Sequence, residues 1–346
     1  MGLRRALAGM GIWAAAVGYF LSYVPYSALT KALSKGMLPG AEGGLDGLEL
    51  LPATVMTSTV GMLAFLTIAG WWGDATQRQI GGLSLPTPTR WTLISGLCTA
   101  GIIATTTLAY TFGGVSIVFM MLLMRGGVLV IAPIVDAISG RTIRWFSWVA
   151  LALSLGALGV AFSERGGWAL TLTAGLDITI YLTAYFFRLS AMSHLAKTDD
   201  PAVTRRYFVE EQMVATPAVV TALALTAFLG SGAAAESLRA GFTTFFDRGA
   251  VYVGVAVLIG LFSQGTGIFG GFILLGKQEN SFCVPVNRAS SILAGVVASA
   301  ALAVLLGASP TSTHQLVGAG MVLLAVLFLS LPPALANRAK SHTGAV

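Results

Sequence analysis

Apolar runs long enough to cross a lipid bilayer recur along almost the whole chain, and they leave few other folds open. One helical span needs about 20 predominantly apolar residues. By that measure the sequence holds ten spans, at roughly 7–28, 50–72, 91–111, 114–139, 145–163, 167–188, 209–230, 249–276, 281–306 and 314–335. The composition agrees. Hydrophobic residues make up 55% and charged residues 10% of the 346 positions, whereas an ordinary soluble domain carries about 25% charged residues. The expected fold class is an all-α integral membrane protein with ten transmembrane helices, and the lipid bilayer is its first partner. The longest connections, at 29–49, 73–90, 189–208 and 231–248, leave no room for an appended soluble domain. The first run follows Arg4 and Arg5 as a signal peptide would. It continues through Tyr23, Pro25 and Tyr26 without an A-x-A-like site, so cleavage is not expected.

The net charge of +6 is carried by basic residues scattered singly or in pairs, without the basic stripe that nucleic acid needs. No nucleic-acid partner is expected. The same residues orient the bundle, because Lys and Arg gather on the cytoplasmic side. With the N-terminus inside, thirteen of the 20 fall in inside segments and five in outside ones. Both termini are then cytoplasmic, and a bacterial cytoplasmic (inner) membrane is the expected location. Cys98 and Cys283 sit inside apolar runs, so they suggest neither a disulfide framework nor a metal motif. His194, His314 and His342 fall outside the predicted spans and share no ligand spacing. No metal and no cofactor are expected.

The two remaining basic residues, Arg125 and Arg288, fall inside apolar runs. A guanidinium at bilayer depth costs roughly 2.5–3.5 kcal/mol on insertion scales, so it normally faces a protein-lined or watery cavity and marks a pathway. Their positions correspond. After a short hairpin the chain reads MRGGVLVIAPIVDAISG (Met124–Gly140), and after a second it reads NRASSILAGVVASAALAVLLG (Asn287–Gly307). The pattern is that of spans one to five (residues 1–165) repeated by spans six to ten (residues 166–346). Because five is odd, the second copy is inverted, a construction plan of secondary transporters.

These features resemble the drug/metabolite transporter superfamily: five plus five spans, cytoplasmic termini, tight hairpins before spans four and nine, and QLVGAGMVLLAV (Gln315–Val326) in the last span. FMMLLMRGGVLVIAP (Phe119–Pro133) and VNRASSILAGVV (Val286–Val297) are most similar to its triose-phosphate, nucleotide-sugar and related solute-carrier branch. That resemblance implies that Arg125 and Arg288 grip an anionic substrate. Phosphate-exchanging members commonly place a lysine beside the second arginine. This chain has Asn287 there, a departure from the pattern.

Other residues read independently of that resemblance. Tyr19, Tyr23 and Tyr26 fall at i, i+4 and i+7, so they share one helix face, as cavity lining or as an interfacial aromatic belt. Gln264 and Thr266 in span eight, with Thr105–Thr107 in span three, place polar groups at mid-depth. Asp177 in span six is a proton-coupling residue, a counter-ion to an arginine, or a helix-bonded side chain. Asp136 lies eleven residues after Arg125, about 16 Å along a helix axis, too far for direct pairing. Lys31, Asp136 and Glu210 stand towards segment ends, where charge acts as a gate or as a solvated or dipole-stabilised terminus; Glu210 and Glu211 begin span seven. Gly267 and Gly271 form a GxxxG pair suited to close helix contact. Pro25, Pro133 and Pro285 weaken the hydrogen-bond ladders of spans one, four and nine.

The expected function is secondary active transport of a small organic anion, a phosphorylated or carboxylated metabolite, by alternating access. Without a G-x-x-x-x-G-K-[ST] motif, exchange or a proton gradient supplies the driving force. An exporter of amphipathic cations, with Asp177 as counter-ion, and a lipid-headgroup flippase are the alternatives. No enzyme is expected, since no D-D or H-x-D cluster accompanies the basic residues. The expected assembly is a monomer or a homodimer.

Overall fold

The computed structural model describes residues 11–109, 117–140, 145–163, 172–198, 200–278, 280–314, 316–325, 327–328 and 331. Arg4, Arg5, Arg141, Arg144, Arg165, Gln315, Arg338 and Lys340 lie outside the described residues. The described helices are α1 (Ile12–Ser34), α2 (Gly47–Ala69), α3 (Arg90–Ala109), α4 (Ile117–Ile138), α5 (Trp145–Ser163), α6 (Leu172–Leu195), α7 (Pro201–Leu229), α8 (Ala233–Phe242), α9 (Ala250–Leu274) and α10 (Asn280–Leu306). A short apolar helix, α11 (Leu316–Ala325), follows.

Six of the described helices, α1, α2, α3, α7, α9 and α10, are long and apolar enough to cross a membrane. Their outer faces carry large apolar side chains: Ile68 is 74% exposed and Val304 84%. Contiguous apolar surface is rare on monomeric soluble proteins, whereas lipid tails solvate it. These helices fit an integral multi-pass membrane protein. Inside them, hydroxyl groups find acceptors within their own helix. In α1, Ser22, Ser27 and Thr30 donate to the carbonyls of Gly18, Tyr23 and Tyr26 at 2.9, 2.9 and 2.7 Å. Back-bonding of this kind lets polar residues sit in a helix without stranding a donor in an apolar medium.

Several boundaries differ from the sequence reading, each for a local reason. α7 begins at Pro201, well before the predicted start of span seven, because Asp200 caps it: the carboxylate accepts from Ala202 N at 2.8 Å, with proline at the first helical position. Glu210 and Glu211 are consequently buried inside the helix, not at its start. The 73–90 connection holds an antiparallel hairpin, β1 (Gln77–Ile80) and β2 (Leu83–Pro86), with Ile80 opposite Leu83. Gly81 and Gly82 turn it, at φ 59° and 84°, as the tight two-residue hairpin turn demands. The 231–248 connection contains α8 and a 3-10 turn at Thr244–Arg248.

Helix α1 packs on α9 and α10; α6 packs on α3 and α4; α3 and α9 pack on α7 and α2 respectively; α4 meets α10, and α2 meets α7. Two of these seams rest on glycine. A Cβ on Gly96 of α3 would fall 2.6 Å from Val214 Cβ and 2.9 Å from the Glu211 carbonyl of α7. One on Gly260 of α9 would fall 2.6 Å from the Thr54 carbonyl of α2. Backbone does not yield as a side-chain tip does, so Gly96→Ala is expected to cost roughly 1–3 kcal/mol by overpacking. The same change at Gly101, where the nearest atom is 3.8 Å away, is expected to be neutral. Thermal unfolding of the two purified variants in detergent checks the contrast.

Candidate functional site

Arg125 on α4 and Arg288 on α10 are 2% and 0% exposed, and their guanidinium groups meet at one oxygen. Arg125 Nη1 donates to the Tyr181 hydroxyl and its Nη2 to the Tyr23 hydroxyl. Arg288 Nη1 donates to the same Tyr181 hydroxyl at 2.8 Å, and its Nη2 to Tyr185 at 2.9 Å. The rings contribute as well as the hydroxyls. The Arg125 guanidinium carbon lies 5.3 and 5.1 Å from the Tyr23 and Tyr181 ring centroids, and that of Arg288 lies 4.7 Å from Tyr185. A desolvated cation over a π-face gains about 2 kcal/mol. Two like charges held roughly 4–8 Å apart still repel by about 2–4 kcal/mol at an effective dielectric near 20. The cluster is therefore a focus of positive potential held by phenols.

Helices α1 and α6 build the cage. Tyr19, Tyr23 and Tyr26 stack along α1 with successive ring centroids 5.2 and 5.5 Å apart, and Tyr181 and Tyr185 along α6 are 4.7 Å apart. Tyr26 is buried, and its hydroxyl shares a 2.9 Å hydrogen bond with Thr107 of α3. It belongs to the interior, not to an interfacial belt. These rings border a cavity of about 70 Å³. Eight polar residues singled out from sequence line it: Tyr19, Tyr23, Tyr26, Thr106, Arg125, Gln264, Thr266 and Asn287. Gln264 accepts from Ser58 Oγ at 3.0 Å. Asn287 Oδ1 is buried with no hydrogen-bond partner among the described residues. Gly267 also lines the cavity, with nothing within 4 Å of where a Cβ would stand, while Gly271 abuts Phe208. Gly271 lines the cavity as well, so the GxxxG pair serves cavity wall and helix contact together.

The other predicted residues lie elsewhere. Arg288 is not part of the lining, although its hydrogen-bond partner Tyr185 is. Asp177 sits near the start of α6, one turn before Tyr181, buried and outside the lining, with Oδ2 unpartnered among the described residues. Asp136 accepts from Asn280 Nδ2 at 3.1 Å and Ser281 Oγ at 2.5 Å, where a carboxylate also complements the dipole at the start of α10. Glu210 holds the hairpin connection to α7. It accepts from Thr76 N and Oγ1 at 3.0 and 2.6 Å, and from Thr89 N and Thr92 Oγ1 at 3.2 and 2.8 Å. Lys31 lies in the last turn of α1.

Sequence reasoning missed four residues. Tyr181 and Tyr185 went unremarked, although the Tyr-x-x-x-Tyr spacing of Tyr19 and Tyr23 recurs there. Arg188 counted as a topology signal and Glu211 as a helix-end charge, yet both are buried and form a two-pronged pair at 3.0 and 2.8 Å. Ser95 Oγ adds a 2.6 Å bond to Glu211 and shares one of 2.6 Å with Tyr207. Arg188 lines the same cavity as Arg125. Among the described residues no cluster of His, Cys, Asp and Glu could hold a metal ion.

No family model and no curated protein matches the chain. Solved structures do. One, described only as the crystal structure of a protein, is 14% identical with a TM-score of 0.48, over 92% of this chain and 96% of its own. That likeness supports no functional inference.

Tyr181→Phe removes the acceptor that both arginines share, and is expected to cost about 1–3 kcal/mol per stranded donor. Tyr185→Phe strands one donor and is expected to cost less; thermal melts of both variants compare them. Glu211→Leu leaves Arg188 buried without its partner and is expected to cost roughly 3–5 kcal/mol, with most of it recovered in the double variant Arg188→Met/Glu211→Leu.

Proposed function

We propose that this chain is a secondary active transporter of a small organic anion, carrying a phosphorylated or carboxylated metabolite by alternating access between two inverted five-helix repeats. The observation that carries the reading is the shared Tyr181 hydroxyl between two buried guanidinium groups, one of which lines a polar cavity. An oxyanion entering there would gain charge-assisted bonds to the cations and relieve their mutual repulsion. Tyr19, Gln264 and Asn287 offer hydrogen bonds to the rest of the ligand. At about 70 Å³ the cavity is small beside the roughly 300–1,000 Å³ of ordinary ligand pockets, so a metabolite enters only when helices part.

The helix pairings support the repeat. Under the correspondence of spans one to five with six to ten, α1 against α9 is the mate of α6 against α3. Likewise α2 against α9 is the mate of α7 against α3, and α1 against α10 is the mate of α6 against α4. The contacts of α4 with α10 and of α2 with α7 are their own mates. Pro25, Pro133 and Pro285 lie inside α1, α4 and α10, the helices that carry Tyr23 and the two arginines, where they supply points of bending. In this reading Asp177, buried one turn from Tyr181, is the proton-coupling residue. Its position outside the cavity lining gives no support to a cation exporter that uses it as the substrate counter-ion.

Arg125→Gln is expected to reduce uptake or counterflow of labelled sugar phosphates and dicarboxylates in proteoliposomes by about tenfold or more, in line with loss of a charged hydrogen bond. Anion flux that persists in a well-folded Arg125→Gln protein, together with cation efflux abolished by Asp177→Asn, would sink the proposal.

A further inference from the structure

The connection from α2 to α3 carries the β1–β2 hairpin, and its two faces are disposed in the reverse of the order that water favours. Its register sets Arg78 opposite Leu85 and Gln79 opposite Ser84, and side chains alternate between the faces of a strand. Arg78, Leu83 and Leu85 therefore share one face, and Gln77, Gln79 and Ser84 the other. An antiparallel sheet in water turns its apolar face to the core and its polar face outward. Here the polar face is the one tied to the protein. Gln77 Nε2 donates to the carbonyls of Trp72 and Ala75 at 3.0 and 3.1 Å, and Ser84 Oγ donates to Gln77 Oε1 at 3.3 Å. The apolar face is bare: Leu83 is 66% exposed, and neither leucine joins an apolar cluster among the described residues.

The place of the hairpin in the fold says what covers that face. Its strands lie between the end of α2 and the start of α3, two helices long and apolar enough to cross a membrane, so the hairpin stands at a bilayer surface. Trp91, in the first turn of α3, is 53% exposed, with the Arg90 guanidinium carbon 5.5 Å from its ring centroid. Exposed tryptophan at the end of a spanning helix sits at headgroup level, and the exposed Leu93, Ile94 and Leu97 carry the apolar surface on along α3. Glu210 bonds both Thr76 and Thr89, at the two ends of the hairpin, and so holds its base to α7.

Charge narrows the partner. Residues 75–92 hold Arg78 and Arg90, both exposed, and no acidic residue. The acids at the base are already engaged, Glu210 by its threonines and Asp74 by Arg205 at 3.5 Å. Arginines beside an apolar face at a membrane surface are drawn to acidic phospholipid.

We propose that the hairpin is a docking element for an acidic phospholipid surface, with Leu83 and Leu85 in the interfacial layer and Arg78 and Arg90 on lipid phosphates. This surface follows from the membrane-spanning helices and is independent of what the central cavity carries. A nitroxide at Leu83→Cys in the full chain, reconstituted in nanodiscs, reads the docking by paramagnetic relaxation, since oxygen concentrates in lipid and a nickel chelate stays in water. The unmodified chain carried through the same labelling supplies the background from Cys98 and Cys283.

In phosphatidylcholine containing phosphatidylglycerol, oxygen is expected to reach the label at Leu83→Cys in preference to nickel. A label at Gln79→Cys, on the opposite face, is expected to be reached by nickel. Arg78→Gln with Arg90→Gln is expected to raise nickel access at Leu83→Cys by about fivefold per arginine, and omission of phosphatidylglycerol to raise it in the parent chain. Leu85→Cys repeats the reading if Leu83→Cys fails to reconstitute. Equal nickel access on the two faces, or nickel access unmoved by the arginine variants, overturns the proposal. So does dipolar broadening between labels, which marks a second copy of the chain on this face.

Discussion

Two positive charges buried in one place must be compensated, and the centre of this protein is arranged around that requirement. Arg125 and Arg288 come from helices far apart in sequence, yet both donate to the hydroxyl of Tyr181. A carboxylate between them would form a permanent salt bridge, and separating that bridge in a low-dielectric interior is costly. A phenol accepts hydrogen bonds and offers a π-face without cancelling the charge. The cations are stabilised enough to be buried while their attraction for an anion persists. For Arg288 the described partners are phenolic only, with Nε left without a hydrogen bond.

Asp177 apart, the other buried charges among the described residues are handled in the opposite way. Arg188 and Glu211 neutralise each other at the cavity edge through two bonds, with Ser95 and Tyr207 completing the shell. Glu210 and Asp136 are spent on architecture, the first fastening a hairpin to α7 and the second joining the end of α4 to the start of α10. A third clasp pairs Arg248 with Glu49 at 2.6 and 2.9 Å. These bonded carboxylates hold the bundle together, whereas the two central arginines donate to phenols.

Much of this was legible in the sequence because intramembrane charge is rare. The apolar runs marked the helices, the energetic oddity of Arg125 and Arg288 marked the centre, and the i, i+4, i+7 spacing of Tyr19, Tyr23 and Tyr26 marked one wall. What escaped notice depended on where helices begin. With span seven started too late, Glu211 read as a terminal charge. Asp200–Pro201, an N-cap followed by proline at the first helical position, carried the true start. Arg188 read as a loop-side cation for a similar reason: α6 runs on to Leu195, past the predicted end of span six. The pinning of Asp136 and Glu210 could not be read at all, since their partners lie 118 to 145 residues away.

The recurrence of Tyr-x-x-x-Tyr in α1 and α6 carries one further consequence for the proposed repeat. Tyr19 and Tyr23 correspond to Tyr181 and Tyr185, and the next position on the same face is Tyr26 in α1 but Arg188 in α6. The two helices therefore present the same scaffold with different chemistry at one site. Tyr26 shares a hydrogen bond with the hydroxyl of Thr107 on α3. Arg188 needs a whole carboxylate, Glu211 on α7, together with the hydroxyls that position it. Under the proposed repeat, the frame carries an ion pair on one side only, so its two halves are unequal in polarity. If the proposed transport reading holds, that difference, and not the shared arginine focus, is where a direction would be encoded.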